Sequence, residues 1–174
     1  MPDPLNGRGR ALDIGCGSGK STSTLIDMGY EVSGTDISRE AVSICTDRFG
    51  SGMFLEGSVL SLPYPDSSID YAVAVHVLEH ITDVDMHRAV SEIRRILKPG
   101  GYLFIRDFAP GDMREGSRAD SDIVYIHRSP EDILAFFDGF SAVSCETVES
   151  RTRFGSVRCR AELLLRENDK NPGQ

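Results

Sequence analysis

Two stretches of the chain combine residue types and spacings that suit chemistry. The first is Asp13-Ile14-Gly15-Cys16-Gly17-Ser18-Gly19-Lys20-Ser21. Its three alternate glycines let the backbone turn sharply and approach a ligand, ahead of a helix N-terminus with free N–H groups. The stretch ends as a Walker A loop does, but that motif needs a glycine five positions before Gly19, and residue 14 is Ile. Gly15 is one residue out of register, so the phosphate cradle does not close. A dinucleotide loop is spaced G-x-G-x-x-G, whereas Gly15, Gly17 and Gly19 give G-x-G-x-G. Asp36, 21 residues after Gly15, does sit where an acid would hold a ribose diol. An NAD site and a purely structural glycine turn both stay open on these residues alone.

The second stretch, His76-Val77-Leu78-Glu79-His80, spells the inverted zinc-peptidase motif H-x-x-E-H. That motif needs both histidines on one helical face. Here the stretch starts at the end of an apolar strand, which puts His76 before any helix, and the sequence identifies no third ligand. No metal is expected.

Further motifs in order along the chain connect the two stretches. Residues 11–19 (ALDIGCGSG), Asp36 in VSGTDIS, the triplet Gly57-Ser58-Val59, SLPYPDSSIDYAVAVHVLEHI and ILKPGGYLFI together resemble the class I S-adenosylmethionine-dependent methyltransferases. The likeness is to their small-molecule, type-eleven branch, over residues 11–106. It implies S-adenosylmethionine as cofactor. Asp13, Gly15, Cys16, Gly17 and Gly19 would hold its methionine end, and Asp36 would accept both ribose hydroxyls through its two oxygens. Ile37 would lie against the adenine, Gly57 and Ser58 would stand among the cofactor contacts, and Val59 could meet the ring through its backbone N–H. Ser58 departs from the pattern, because an acid commonly stands there to accept the adenine amino hydrogen. A hydroxyl accepts without charge, so looser cofactor binding is expected.

His76 closes the fourth strand beside the place of the reactive methyl. It is the candidate base or orienting group for the acceptor, and a further cofactor contact. Displacement at a sulfonium releases a neutral thioether, so no acid is needed, and a base is needed only for a protonated nucleophile. Alignment in a dry pocket then carries much of the acceleration. Glu79 and His80 read as local groups bonded to the following turn. Residues 107–128 are long and irregular, as functional lids often are. Within and beside them Arg106, Arg114, Arg118 and Arg128 could orient an anionic acceptor, with Tyr125 and His127 shaping its pocket.

The elements that must position these residues alternate in type. Strands are expected over 10–14, 31–36, 52–56, 69–75 and 101–106, and helices over 18–28, 38–48, 83–97 and 129–137. A closing hairpin is expected over 140–148 and 157–166. Residues 69–75 (IDYAVAV) are apolar almost throughout, as in a strand covered on both faces. The fold class is α/β: a doubly wound, mostly parallel seven-stranded sheet with helices on both faces and an antiparallel C-terminal hairpin. Residues 1–166 form one domain, and 167–174 a flexible tail.

The chain has 174 residues and a net charge of −8, which argues against general nucleic-acid or anionic-membrane binding. Cys16, Cys45, Cys145 and Cys159 form no C-x-x-C pair, and no stretch approaches the ~20 apolar residues of a membrane span. A cytoplasmic enzyme acting on a small molecule is expected. About ten residues precede the first strand, too few for a helix over the site, so either the 107–128 loop closes it, a partner subunit does, or the site is open; a partner subunit or homo-oligomer is an open expectation. The alternatives are a cofactor-binding subunit without turnover and an NAD-dependent oxidoreductase.

Overall fold

A computed structural model describes residues 1–50, 53–115 and 125–168. Seven strands form one sheet in the order β3-β2-β1-β4-β5-β7-β6. They are β1 (Arg10–Ile14), β2 (Glu31–Asp36), β3 (Phe54–Glu56), β4 (Ile69–Val75), β5 (Leu97–Phe108), β6 (Phe140–Arg151) and β7 (Val157–Glu167). The first five run parallel, β7 pairs antiparallel with β5, and β6 pairs antiparallel with β7. The helices are α1 (Lys20–Met28), α2 (Arg39–Phe49), α3 (Asp83–Ile96) and α4 (Pro130–Leu134). The expected doubly wound sheet with a terminal antiparallel hairpin is therefore present.

The central strands bury both faces, which is why they read as apolar runs rather than alternating ones. Leu12, Ile14, Ala72, Ala74, Leu103, Ile105, Leu163 and Leu165 face one core. Ala11, Val32, Tyr71, Val73, Phe104 and Leu164 face the other. Helix α3 packs Met86, Ala89, Val90, Ile93 and Ile96 into the first core, as its 3.6-residue stripe requires. Leu25 of α1 fills the second, together with the N-terminal Met1 and Leu5.

Several boundaries differ from expectation for physical reasons. Lys98-Pro99-Gly100-Gly101 ends α3 but does not delay the next strand. β5 starts at Leu97, and its pairing with β4 jumps from Ile69↔Leu97 to Tyr71↔Tyr102. The Lys98 ammonium, 2.7 and 2.8 Å from the two oxygens of Asp70, fastens that bulge. The domain also runs past 166. Glu167 is buried, accepts from Arg94 at 3.2 Å and from the Gly100 N–H at 3.2 Å, and so belongs to the sheet rather than a tail. The rest of the expected tail, 169–174, lies outside the described residues, as do 52 and 116–124. No described helix is long and apolar enough to cross a membrane.

The chain leaves β1 toward β2 on one side, and β4 lies on the other. A crevice opens at this reversal beyond the carboxyl ends of the strands, where open α/β sheets bind ligands.

Candidate functional site

A cavity of about 770 Å³ occupies that crevice. It is within the size range of small-molecule and cofactor sites. Its walls come from the ends of β1, β2 and β4, the segment after β3, the turn after β4 and residues 125–126.

The glycine loop forms one wall. The N–H groups of Gly15 and Cys16 both donate to the Thr35 carbonyl, at 2.7 and 3.0 Å, which fixes the loop against β2. Gly15 and Gly19 adopt φ of +70° and +79°. A Cβ at Gly15 would lie 2.5 Å from Val77, and one at Gly19 would lie 2.5 Å from the Phe49 ring. The bend thus needs glycine both for its backbone angles and for the close approach of its neighbours.

Asp36 ends β2 at the cavity edge. Its Oδ2 accepts the Gly17 N–H and its Oδ1 accepts the Ser38 N–H, both at 2.9 Å. The carboxylate is therefore fixed in direction while each oxygen keeps a free lone pair. The exposed Ile37 follows on the same rim. Opposite stand Gly57, Ser58 and Val59. Gly57 donates to the Asp36 carbonyl at 2.9 Å, and a Cβ there would strike Pro63 at 2.7 Å. Ser58 Oγ accepts the Leu60 N–H at 3.1 Å, which tightens this turn and leaves the hydroxyl hydrogen to donate.

Not every expected cofactor residue touches the cavity. Asp13 is 1% exposed, beneath the loop, with Thr22 Oγ1 donating to its Oδ2 at 2.6 Å. Burial raises its pKa to about 6, partly offset by Thr22 and reinforced by the Asp36 charge. Cys16 points into a separate cluster with Cys45 and Phe54, and Gly19 caps α1 against Phe49. These three shape the loop from behind.

His76 closes β4 with φ +60°, an angle L residues avoid at a cost of about 1–3 kcal/mol. Its N–H donates to the Arg106 carbonyl at 2.7 Å, so β5 imposes the turn. The side chain is 33% exposed and lines the cavity, and its ring lies against Phe108 with centroids 4.2 Å apart. Nδ1 is 3.2 Å from Glu79 Oε2, which also accepts the Phe108 N–H at 2.8 Å. Glu79 is therefore more than a local turn group: its side chain bridges the ends of β4 and β5. His80 Nε2 approaches the other Glu79 oxygen at 3.8 Å. The two histidines thus sit at different oxygens of Glu79, one on a strand end and one on a 3-10 turn, instead of sharing a helical face. The zinc-peptidase arrangement is not formed. Ligand-type atoms of His76, Glu79 and Asp107 do lie within 4.8 Å of one another. Backbone N–H groups and the imidazole already hold one oxygen of each acid.

The expected acceptor residues divide. Tyr125 lines the cavity, packed edge-on to His80 with centroids 4.8 Å apart. Arg106 instead pairs with Glu162 at 2.7 Å over the Phe104 ring and does not line the cavity. Arg128 is buried, clamping the carbonyls of Leu78 and Ile81 and the Asp83 carboxylate. Arg114 lies over Phe108 at 4.5 Å, His127 stacks near that ring, and neither lines the cavity. Arg118 lies outside the described residues. Thr35, Val77, Ile81, Thr82 and Ile126 line the cavity without having been expected to. Only the position of Ile81 and Thr82 just after the His76–His80 motif hinted at them.

These walls fit S-adenosylmethionine: an acid with two fixed oxygens suits a cis-diol, and a glycine cradle admits the methionine end. Residues 12–105 match the methyltransferase domain family. The chain is 35% identical over 103 residues to an O-methyltransferase of Penicillium expansum, covering 55% of this chain and 37% of that protein. It is 32% identical over 128 residues to the 27-O-demethylrifamycin SV methyltransferase of Amycolatopsis mediterranei, covering 70% and 46% respectively. It thus spans less than half the length of these curated relatives. A SAM-dependent methyltransferase of Methanosarcina mazei superposes with a TM-score of 0.78 at 23% identity, over 92% of this chain and 93% of the other. With the family match over more than half of the chain and the strand order in agreement, the chain belongs to the class I S-adenosylmethionine-dependent methyltransferases, whose cofactor is S-adenosylmethionine.

Proposed function

We propose that the chain binds S-adenosylmethionine in the crevice and transfers its methyl group to a small-molecule acceptor seated beside His76. The observation that carries this is Asp36, whose two oxygens are aimed by the Gly17 and Ser38 N–H groups beside the glycine bend. Asp36 takes the ribose hydroxyls, Ile37 and the Gly57–Val59 wall flank the adenine, and the loop from Gly15 to Gly19 receives the methionine end above Asp13. The bound cofactor supplies a methyl activated on a sulfonium. His76, His80, Ile81, Thr82, Tyr125 and Ile126 form the other half of the cavity.

That half holds no cation among its described lining residues, since Arg106 and Arg128 are engaged elsewhere. It suits a neutral, apolar or aromatic acceptor bearing a hydroxyl better than the anionic one expected from the sequence. The O-methyltransferase names of two relatives agree with an oxygen nucleophile. His76 takes the acceptor proton, and the chain's main contribution is alignment of acceptor and methyl at about 3 Å.

The test is calorimetry with S-adenosylmethionine, S-adenosylhomocysteine and NAD, followed by a coupled assay of S-adenosylhomocysteine release over a metabolite library. Binding of the first two with turnover of a hydroxylated acceptor is expected. Preference for NAD overturns the proposal in favour of an oxidoreductase, and binding without any turnover leaves a cofactor-binding subunit.

A further inference from the structure

We propose that Glu79 is a positioning residue for His76: its buried carboxylate holds the imidazole proton on Nδ1 and so presents the Nε2 lone pair to the cavity. The inference rests on the reading of His76 as the acceptor-side base, and adds the device that sets its tautomer. Glu79 is 1% exposed and fixed from three directions. Its Oε2 accepts from Phe108 N–H at 2.8 Å and faces Nδ1 at 3.2 Å, while its own carbonyl accepts the Ile126 N–H at 2.8 Å. A carboxylate only accepts hydrogen bonds, so a neutral imidazole facing it must carry its proton on Nδ1. The ring is held against Phe108, with centroids 4.2 Å apart, on a backbone turn fixed by Arg106.

Asp107 completes the device. It is 2% exposed, its Oδ1 accepts the Val77 N–H at 3.1 Å, and its Oδ2 and Glu79 Oε1 are buried oxygens that accept no hydrogen bond, His80 Nε2 standing 3.8 Å from the latter. Two charged acids are not tolerated together in such burial. Burial first, then the Glu79 charge, pushes the Asp107 carboxyl well above its ordinary range. Charge is therefore disfavoured on Asp107, and Glu79 is the acid that meets the His76 Nδ1. The other charged or titratable groups around the pair are His80 near Glu79, Arg128 on its 3-10 turn, and Arg114, Arg158 and His127 around Phe108. In the transfer step the acceptor O–H gives its proton to Nε2 as its oxygen takes the methyl, and the C–S electron pair stays on sulfur. The imidazolium so formed faces the Glu79 carboxylate, which compensates its charge.

The test reads the tautomer directly, by nitrogen-15 NMR of the imidazole in the whole protein without ligands, with His76→Ala for assignment. In the wild type the Nδ1–H form should exceed the Nε2–H form by at least about tenfold, as a charged hydrogen bond supplies. Asp107→Asn, which mimics the protonated acid, should keep that ratio. Glu79→Met should reverse it while changing S-adenosylmethionine affinity by less than about threefold. A wild-type ring protonated on Nε2 overturns the proposal, as does loss of the Nδ1–H form in Asp107→Asn. A tautomer that changes when EDTA is added also overturns it, because an ion and not a proton would then order the cluster. Failure of S-adenosylmethionine to bind at all would sink the cofactor reading and leave the tautomer result standing.

Discussion

Replacing Asp13 by Asn should make the empty protein more stable at neutral pH and a poorer cofactor binder. The carboxyl is 1% exposed and its pKa rises from 3.8 to about 6, chiefly through burial. The folded form therefore holds its proton more tightly than the unfolded chain. Between about pH 4 and pH 6 the native state binds more protons than the denatured state, so stability falls as pH rises through that window. A rise of about two units at ~1.4 kcal/mol each amounts to about 3 kcal/mol, present in full below pH 4 and lost above pH 6. Asn keeps an acceptor for Thr22 Oγ1 and carries no charge to desolvate. Urea unfolding from pH 4.5 to 8 should show Asp13→Asn gaining on the wild type by about 2 kcal/mol as pH rises, the remainder of the change lying below pH 4.5. In the proposed binding mode the cofactor ammonium sits above this loop, so calorimetry should show S-adenosylmethionine affinity falling by about tenfold. A stability difference that is flat with pH, or a variant less stable than wild type at pH 8, would refute the reasoning.

Asp36→Ala should weaken cofactor binding by ~1–3 kcal/mol, the scale of hydrogen bonds to a charged group; equal affinity by calorimetry removes Asp36 from the site. His76→Ala should lower turnover by about 10²-fold with cofactor affinity within about threefold, and equal turnover would demote the ring to scaffold. Gly19→Ala places a Cβ 2.5 Å from the Phe49 ring at φ +79° and should cost about 1–3 kcal/mol of stability, read by thermal unfolding. Ser129→Ala removes the cap whose Oγ accepts the Asp132 N–H at 3.1 Å, and should cost ~1 kcal/mol in the same measurement.

The layout of the sheet was legible because β1, β4 and β5 are buried on both faces and announce themselves as apolar runs, while Ser38 and Ser129 mark helix starts by capping chemistry. One wall of the crevice was legible for a related reason: the glycines, Asp36 and the Gly57 triplet that line it are set by local backbone demands. The acceptor half was not. Glu79 meets Phe108 across 29 positions and Arg106 meets Glu162 across 56, and no local pattern records such partners. Arginine is equally suited to gripping a ligand and to tying down carbonyls, so Arg128 gave no sign that it does the latter. The end of β7 was misplaced because Glu167 looks like a surface acid until Arg94 and Gly100 are seen around it.

The segment between β3 and β4 owes its shape to α3. Arg95 donates to the carbonyls of Leu62 and Tyr64, at 2.9 and 2.8 Å, and to Asp66 at 2.8 Å, while Glu92 receives the Leu62 N–H at 2.8 Å. Residues of α3 that do not line the crevice thus anchor the segment that the proposed function sets against the nucleobase. Drift in sequence at 92 or 95 would loosen one jaw of the clasp and leave the other untouched, so natural or engineered variation on that outer helix offers a dial for nucleoside affinity that is separate from the chemistry of the reacting group.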